Sequence, residues 1–100
     1  MIKLEIRVKI IPHKKNEFMQ AVKNIGNSDS LPATIHSLTI FQNLNDDNLF
    51  YCQGEWDSRQ ALDDYQKSIQ YEMLIGAIQV LGEIQQAHIH DIDTTEKIKI

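Results

Sequence analysis

Residues 2–11 alternate between apolar and charged side chains, IKLEIRVKII, so that all the even positions are apolar. A period of two is typical of a β-strand with one buried face. The buried face is predicted to carry Ile2, Leu4, Ile6, Val8 and Ile10, and the other face Lys3, Glu5, Arg7 and Lys9. Pro12 cannot donate a hydrogen bond to a neighbouring strand, so the strand is predicted to end there.

The spacing then becomes helical over residues 13–26, where apolar side chains recur every three or four positions. Two β-rich segments follow, residues 35–44 and 49–56, and the polar residues 45–48 join them. Strands separated by such a turn predict an antiparallel hairpin. The third strand ends on Trp56, the one tryptophan of the chain.

A second helix is predicted over residues 58–81, with Asp57 or Ser58 as its N-cap and a break near Gly76. Its sheet-facing stripe is predicted to contain Leu62, Tyr65, Ile69, Met73 and Ala77. Gly82 is predicted to end the helix, and residues 83–92 to form a fourth strand. The alternation near the end of DTTEKIKI, residues 93–100, indicates a short fifth strand or a solvated end.

The order β-α-β-β-α-β predicts an α+β fold, a ferredoxin-like antiparallel sheet with both helices on one face. We expect one domain over residues 1–92, followed by a tail, residues 93–100, that could pair with a partner subunit. The uncovered face would carry Phe41, Leu49 and Tyr51, which are large for a fully hydrated surface. This favours a homodimer over a monomer with a partly apolar face.

Composition narrows the classes of partner. The 100 residues carry a net charge of −4 and have no cluster of basic residues. Nucleic acid and anionic membrane surfaces are therefore not expected as partners. The single Cys52 lies in an apolar strand and is interpreted as a small buried hydrophobe. With neither a signal-like segment nor a long apolar run, the chain is predicted to be cytoplasmic.

The segment EWDSRQALDDYQKS, after LFYCQG and before IGAIQVLGEI, resembles the antibiotic biosynthesis monooxygenase family. The resemblance spans about residues 1–92 and implies a dimeric α+β barrel. It also implies oxidation of aromatic molecules without metal or flavin, in a pocket between the sheet and the helices. Trp56 matches the family's strand-ending tryptophan, and Ser68 matches its serine. Tyr65 stands where many members carry histidine.

The resemblance also separates branches of the family. The haem-degrading branch carries a pocket tryptophan where this chain has Tyr65, and it needs an axial histidine ten residues further on. Counted from Tyr65, that position is Ile75. The first-strand asparagine of that branch has no counterpart, because Ile6 and Val8 fill the inward positions. We therefore predict neither haem nor any other cofactor.

The candidate site follows from these residues. Trp56, Tyr65 and Ile69 are predicted to contact a small hydrophobic ligand, with His36 and Tyr65 as catalytic candidates. His36 could accept a proton at the pocket rim, or be an ordinary hydrogen-bonded rim residue. The expected function is cofactor-independent oxidation of a small aromatic or quinone-type molecule. The alternative is a non-catalytic ligand-binding or dimerisation module on the same fold.

His88 and His90 lie two residues apart on the fourth strand and are predicted to point the same way. Two imidazoles on one face could bind a divalent metal if a carboxylate such as Glu55 came near. Because no third ligand stands at a fixed spacing, we interpret the pair as polar edge or interface residues and predict no metal site.

Overall fold

The computed structural model describes residues 1–26, 38–91 and 94–100. Within these ranges the chain forms one antiparallel sheet of strand order β2-β3-β1-β4-β5. The strands are β1 Ile2–Ile10, β2 Thr39–Gln42, β3 Leu49–Trp56, β4 Gly82–His90 and β5 Thr95–Lys97. A 3₁₀ turn, Pro12–Lys14, precedes α1 Lys15–Gly26, and α2 Arg59–Gln66 and α3 Ile69–Leu81 join β3 to β4. The predicted α+β ferredoxin-like fold is confirmed.

Strand β1 lies at the centre of the sheet and pairs with both β3 and β4. Its even-numbered side chains are all buried, as the alternation predicts, and Leu4, Ile6 and Val8 are completely inaccessible. These side chains pack with residues of all three helices in one core, which includes Phe18, Leu62 and Ile78. The helices therefore cover one face of the sheet and leave the other uncovered.

The predicted single helix over residues 58–81 is wrong in one respect, because the chain leaves the helical path at Lys67 and Ser68 rather than near Gly76. The Ser58 hydroxyl accepts a hydrogen bond from the Ala61 amide at 3.1 Å and begins α2. The Ser68 hydroxyl accepts one from the Tyr71 amide at 3.2 Å and begins α3. A second N-cap therefore divides the helix in two.

The break shifts the phase of the buried stripe. Ile69 and Met73, which were predicted to face the sheet, are 63% and 52% exposed. The side chains of α3 that are buried instead are Gln70, Tyr71, Leu74, Ile78 and Leu81. The stripe prediction holds for Leu62 and Tyr65 in α2 and for the half-buried Ala77, which packs against the core, but it fails for Ile69 and Met73, because the added non-helical residues rotate the start of α3.

Strand β3 has the predicted limits, whereas β2 ends at Gln42, two residues early. The Asn43 side chain accepts hydrogen bonds from the amides of Asn45 and Asp46, which turns the chain away from the sheet. The part of the predicted second strand before residue 38 lies outside the described residues. None of the described helices has the length and apolar character needed to cross a membrane.

The tail forms β5, which pairs with β4 of its own chain. The register places Thr95 opposite His90, Glu96 opposite Ile89 and Lys97 opposite His88. The Ile98 amide also donates to the Ala87 carbonyl at 2.9 Å. Pairing with a partner subunit, which was considered for this tail, therefore stays a prediction for the opposite edge of β5.

Candidate functional site

Three aromatic side chains meet where β3 passes into the helices. The Trp56 and Tyr65 ring centroids are 5.0 Å apart, and those of Tyr65 and Tyr71 are 5.4 Å apart. Trp56 is completely inaccessible, and the two tyrosines are also buried. Such tilted, close aromatic pairs contribute packing and electrostatic attraction beyond the area they bury. We call Trp56, Tyr65 and Tyr71 the aromatic cluster.

Gly54 makes room for the indole ring of Trp56. A Cβ atom at residue 54 would lie 2.7 Å from Cη2 of Trp56 and 2.9 Å from Cδ2 of Leu38. Any larger residue would therefore displace the ring. The Trp56 Nε1 donor is buried and has no hydrogen-bond partner among the described residues. An unpaired buried donor of this kind is costly, so close packing must hold the ring in place.

A cleft of about 440 Å³ lies next to the cluster, between α3 and the C-terminal part of the chain. This volume is within the range of small-molecule sites. Its less polar lining comes from Tyr71, Ile75, Gly76, Ile89, Ile98 and Ile100. Its polar lining comes from Arg59, Gln66, Glu72, Gln79 and Lys99. Tyr71 belongs to both the cleft and the aromatic cluster, and so connects them.

Tyr65 and Tyr71 of the aromatic cluster and the buried Cys52 are neutral at neutral pH. Burial raises the pKa of Tyr65 above its ordinary value, with smaller contributions from Cys52 and Tyr71. Burial also raises the pKa of Tyr71, although a hydrogen bond with Gln66 opposes part of the rise. Burial raises the pKa of the Cys52 thiol to about 12. These groups can donate hydrogen bonds or provide aromatic surface, but they are poor general bases and nucleophiles.

The structure places the predicted site residues in three different situations. Trp56 and Tyr65 are in contact, but neither lines the cleft; they lie behind Tyr71. Ile69 is exposed at the start of α3 and does not line the cleft. His36 lies outside the described residues.

Sequence reasoning did not predict that Tyr71, Ile75 and Ile89 line the cleft. The one signal that could have indicated Tyr71 is its position three residues after Ser68, where the donor to an N-capping hydroxyl stands. Ile75 and Ile89 carry no such signal, since both look like ordinary core residues.

His88 and His90 project from the uncovered face of the sheet, on the same side as predicted, with ring centroids 5.8 Å apart. The carboxylate of Glu5 lies beside His90, with Oε2 3.8 Å from Nε2. The other ring nitrogen, Nδ1, is 3.0 Å from the Thr95 hydroxyl. Among the described residues, no group of three or more His, Cys, Asp or Glu side chains is placed to bind a metal ion.

Comparison with known proteins places this geometry in context. The family model described as antibiotic biosynthesis monooxygenase matches residues 1–76, which contain the aromatic cluster and Gly76. No curated protein sequence matches the chain.

Solved structures share the fold at low sequence identity. A crystal structure of an antibiotic biosynthesis monooxygenase is 18% identical with a TM-score of 0.74, over 94% of this chain and 98% of that one. A conserved protein from Methanosarcina mazei Go1 is 17% identical with a TM-score of 0.72, over 89% and 87%. Rv0793 from Mycobacterium tuberculosis is 12% identical with a TM-score of 0.74, over 93% and 96%.

Proposed function

Because the chain belongs to the antibiotic biosynthesis monooxygenase family, we propose that it oxidises a small aromatic or quinone-type molecule with dioxygen and without a bound cofactor. The observation that supports a site for such a molecule is the cleft of about 440 Å³ against Tyr71. Isoleucine side chains would contact the faces of a flat ring system, and the glutamine, glutamate and lysine side chains at the cleft would contact its polar substituents.

In such a reaction the reduced substrate supplies the electrons. One oxygen atom of dioxygen forms a bond to substrate carbon, and the other leaves as water with the two hydrogens that the substrate loses. The Tyr71 hydroxyl is suited to donate a hydrogen bond to a substrate oxygen, because its raised pKa keeps it protonated. Trp56 and Tyr65 would fix the Tyr71 ring from behind. His36, outside the described residues, remains the proposed proton acceptor.

A second candidate function is non-catalytic binding of the same kind of ligand. It is favoured by the neutral, buried tyrosines, since a raised pKa makes a phenol a poorer proton acceptor at neutral pH. Ligand binding that raises the melting temperature without consuming dioxygen would distinguish this function from the first.

Gly76 offers a direct test of the cleft as the ligand site. It lies within α3 and lines the cleft, and a Cβ atom built on it meets nothing within 4 Å. A Gly76→Leu side chain would occupy the cleft without a backbone clash. We expect Gly76→Leu to lower kcat/KM for reduced naphthoquinones by about ten-fold or more, because substrate and side chain would compete for one space. Oxygen-electrode measurements on a panel of such compounds give the rates.

The matched control is Gly76→Ala, which adds one methyl group at the same place. It should keep most of the activity and raise the free energy of unfolding by about 0.5–1 kcal/mol, as expected for glycine replaced within a helix. Absence of oxygen consumption by the wild type across the panel would reject the catalytic proposal. Equal rates in Gly76→Leu and wild type would reject the cleft as its site.

We also propose that the protein is a homodimer that associates through the uncovered face of the sheet. On that face Phe41 is 51% exposed and stands opposite Tyr51 in the strand register. The Arg7 guanidinium lies 5.9 Å from the Tyr51 ring centroid, and its Nε is buried without an acceptor among the described residues. A second copy could cover the aromatic side chains and supply the missing acceptor.

Phe41→Asp should weaken this dimer by about ten-fold or more, since it places a charge in an apolar contact. Sedimentation velocity over a concentration series measures the effect. The control is Val80→Asp, which changes a side chain that is 68% exposed on α3, away from the uncovered face. A wild-type protein that sediments only as the 11.6 kDa monomer would contradict the proposal.

A further inference from the structure

The residues that line the cleft differ in how deeply they are buried in the core. Tyr71 and Ile89, from α3 and β4, belong to the hydrophobic core and are 8% and 3% exposed. The remaining wall comes from Ile98, Lys99 and Ile100, which directly follow β5. We call residues 94–100 the C-terminal segment. Its cleft-lining residues follow the edge strand β5, whereas the other cleft-lining residues lie on α2, α3 and β4.

The C-terminal segment is attached to the rest of the protein by the partly buried Ile98 side chain, which packs against the core, and by a few interactions with β4. Strand β5 has three residues, all of them exposed, and pairs with β4 along one edge. Two further backbone hydrogen bonds lie at its ends, Asp91 N to Thr94 O and Ile98 N to Ala87 O, both 2.9 Å long. A short exposed edge strand belongs to the least stable parts of a fold, because it buries little apolar surface.

Among the described residues, one ion pair joins the C-terminal segment to the helices. Nη1 of Arg59, in the first turn of α2, lies 3.0 Å from Oε2 of Glu96 in β5. Arg59 also contacts Asp63 of its own helix, at 3.3 Å from Nε. The Arg59 and Glu96 side chains are about half exposed, so their attraction is weak and screened by salt. Arg59 itself lines the cleft, and the pair therefore stands at its edge.

We propose that the C-terminal segment is a movable wall of the cleft, that the Arg59–Glu96 pair keeps it closed, and that its release gives a small ligand access to Ile89 and Tyr71. That a ligand enters the cleft rests on the proposed function, whereas the opening of the C-terminal segment does not depend on it. A weak, exposed pair suits this role, since it allows the segment to leave β4 while the core remains folded.

Hydrogen exchange tests whether the Arg59–Glu96 pair holds the C-terminal segment against β4. In Glu96→Gln the Ile98 amide should exchange about two- to five-fold faster than in the wild type, the range expected for loss of one exposed ion pair. Amides of β1 should keep their rates. Asp63→Asn is the matched control, because it removes the other carboxylate of Arg59 without touching the C-terminal segment. Equal Ile98 exchange in Glu96→Gln and wild type, or equal acceleration in both variants, would overturn the proposal.

Thiol labelling tests access to the cleft. A cysteine placed by Ile89→Cys lies on the cleft wall, opposite Glu96 in the strand register. Cys52 is completely buried and its pKa is raised to about 12, so it reports global unfolding in the same molecule. With Ellman's reagent, Glu96→Gln should speed labelling of residue 89 about two- to five-fold and leave labelling of Cys52 unchanged. Labelling of both thiols at one common rate would show that only global unfolding exposes residue 89, and would overturn the proposal.

Both measurements are made without ligand. If the protein consumed no dioxygen but the C-terminal segment opened as expected, the proposed reaction would fail and the movable wall would stand. If turnover were found but Glu96→Gln changed neither exchange nor labelling, the movable wall would fail and the proposed function would stand.

Discussion

Trp56→Ala should lower the free energy of unfolding by about 3–5 kcal/mol, the range for removing a large aromatic side chain from a core. Trp56 is completely inaccessible, stacks on Tyr65 at 5.0 Å and fills the space left by Gly54. Alanine would leave a cavity, because neither the strands on one side nor α2 on the other can move to fill it. Urea denaturation followed by circular dichroism measures the loss. A domain of this size is typically stable by about 5–15 kcal/mol, so the variant could be partly unfolded at 37 °C.

Trp56→Phe is the control, because it retains an aromatic ring and removes the buried Nε1 donor that has no partner among the described residues. We expect a smaller loss, about 1–2 kcal/mol, since the cost of the lost volume is partly offset by removal of the unpaired donor. Losses below about 1 kcal/mol in both variants would contradict the structure, since they would mean that the indole contributes little to the core.

Gly82→Ala should lower the free energy of unfolding by about 3 kcal/mol, although it adds only one methyl group. The new Cβ would lie 2.3 Å from the carbonyl oxygen of Lys9 and 2.9 Å from Cα of Ile10. Both are backbone atoms of β1, so relief requires that two central strands move apart. The backbone at Gly82 is extended, with φ −173°, and the requirement for glycine therefore comes from the close approach of the strands. The melting temperature should fall by more than about 10 °C.

Gly76→Ala controls for the general effect of replacing glycine, because nothing lies within 4 Å of the added carbon. We expect the free energy of unfolding to fall in Gly82→Ala and to rise in Gly76→Ala. A Gly82→Ala protein as stable as the wild type would indicate that β1 and β4 do not approach each other here as the register of Ile10 with Gly82 requires.

The sheet could be predicted well because its signals are local. Alternation over β1 specifies which five side chains are buried, and all five are. Strand β3 has the predicted limits because polar turn residues precede it and Trp56 ends it. The uncovered face also follows from alternation, once the order of elements places both helical regions on one side, but Leu49, which was predicted to be exposed there, is buried.

The helical region shows where local signals fail. Leu62, Tyr65, Ile69 and Met73 continue one helical period, so the sequence favours an unbroken stripe through Ser68. A serine within such a pattern can stand on a helix surface or cap a new helix, and both uses satisfy its hydroxyl. In the structure, capping at Ser68 lets Tyr71 and Leu74 reach the core and leaves Ile69 outside. Packing against the sheet decides between these two uses of the serine, and a short window of sequence gives no information about that packing.

The sequence by itself therefore determined the succession of strands and helical regions along the chain, the buried face of the sheet and the family, because each depends on residues close together in the chain. Only the tertiary structure decided the cleft. Tyr71, Ile89 and Ile98 line it together, and Arg59 meets Glu96 across 37 positions of sequence. These residues become neighbours because of the order in which the strands lie side by side in the sheet and because the chain changes direction between α2 and α3. A periodic pattern shows which face of an element a residue occupies, but it does not show which distant residue lies opposite.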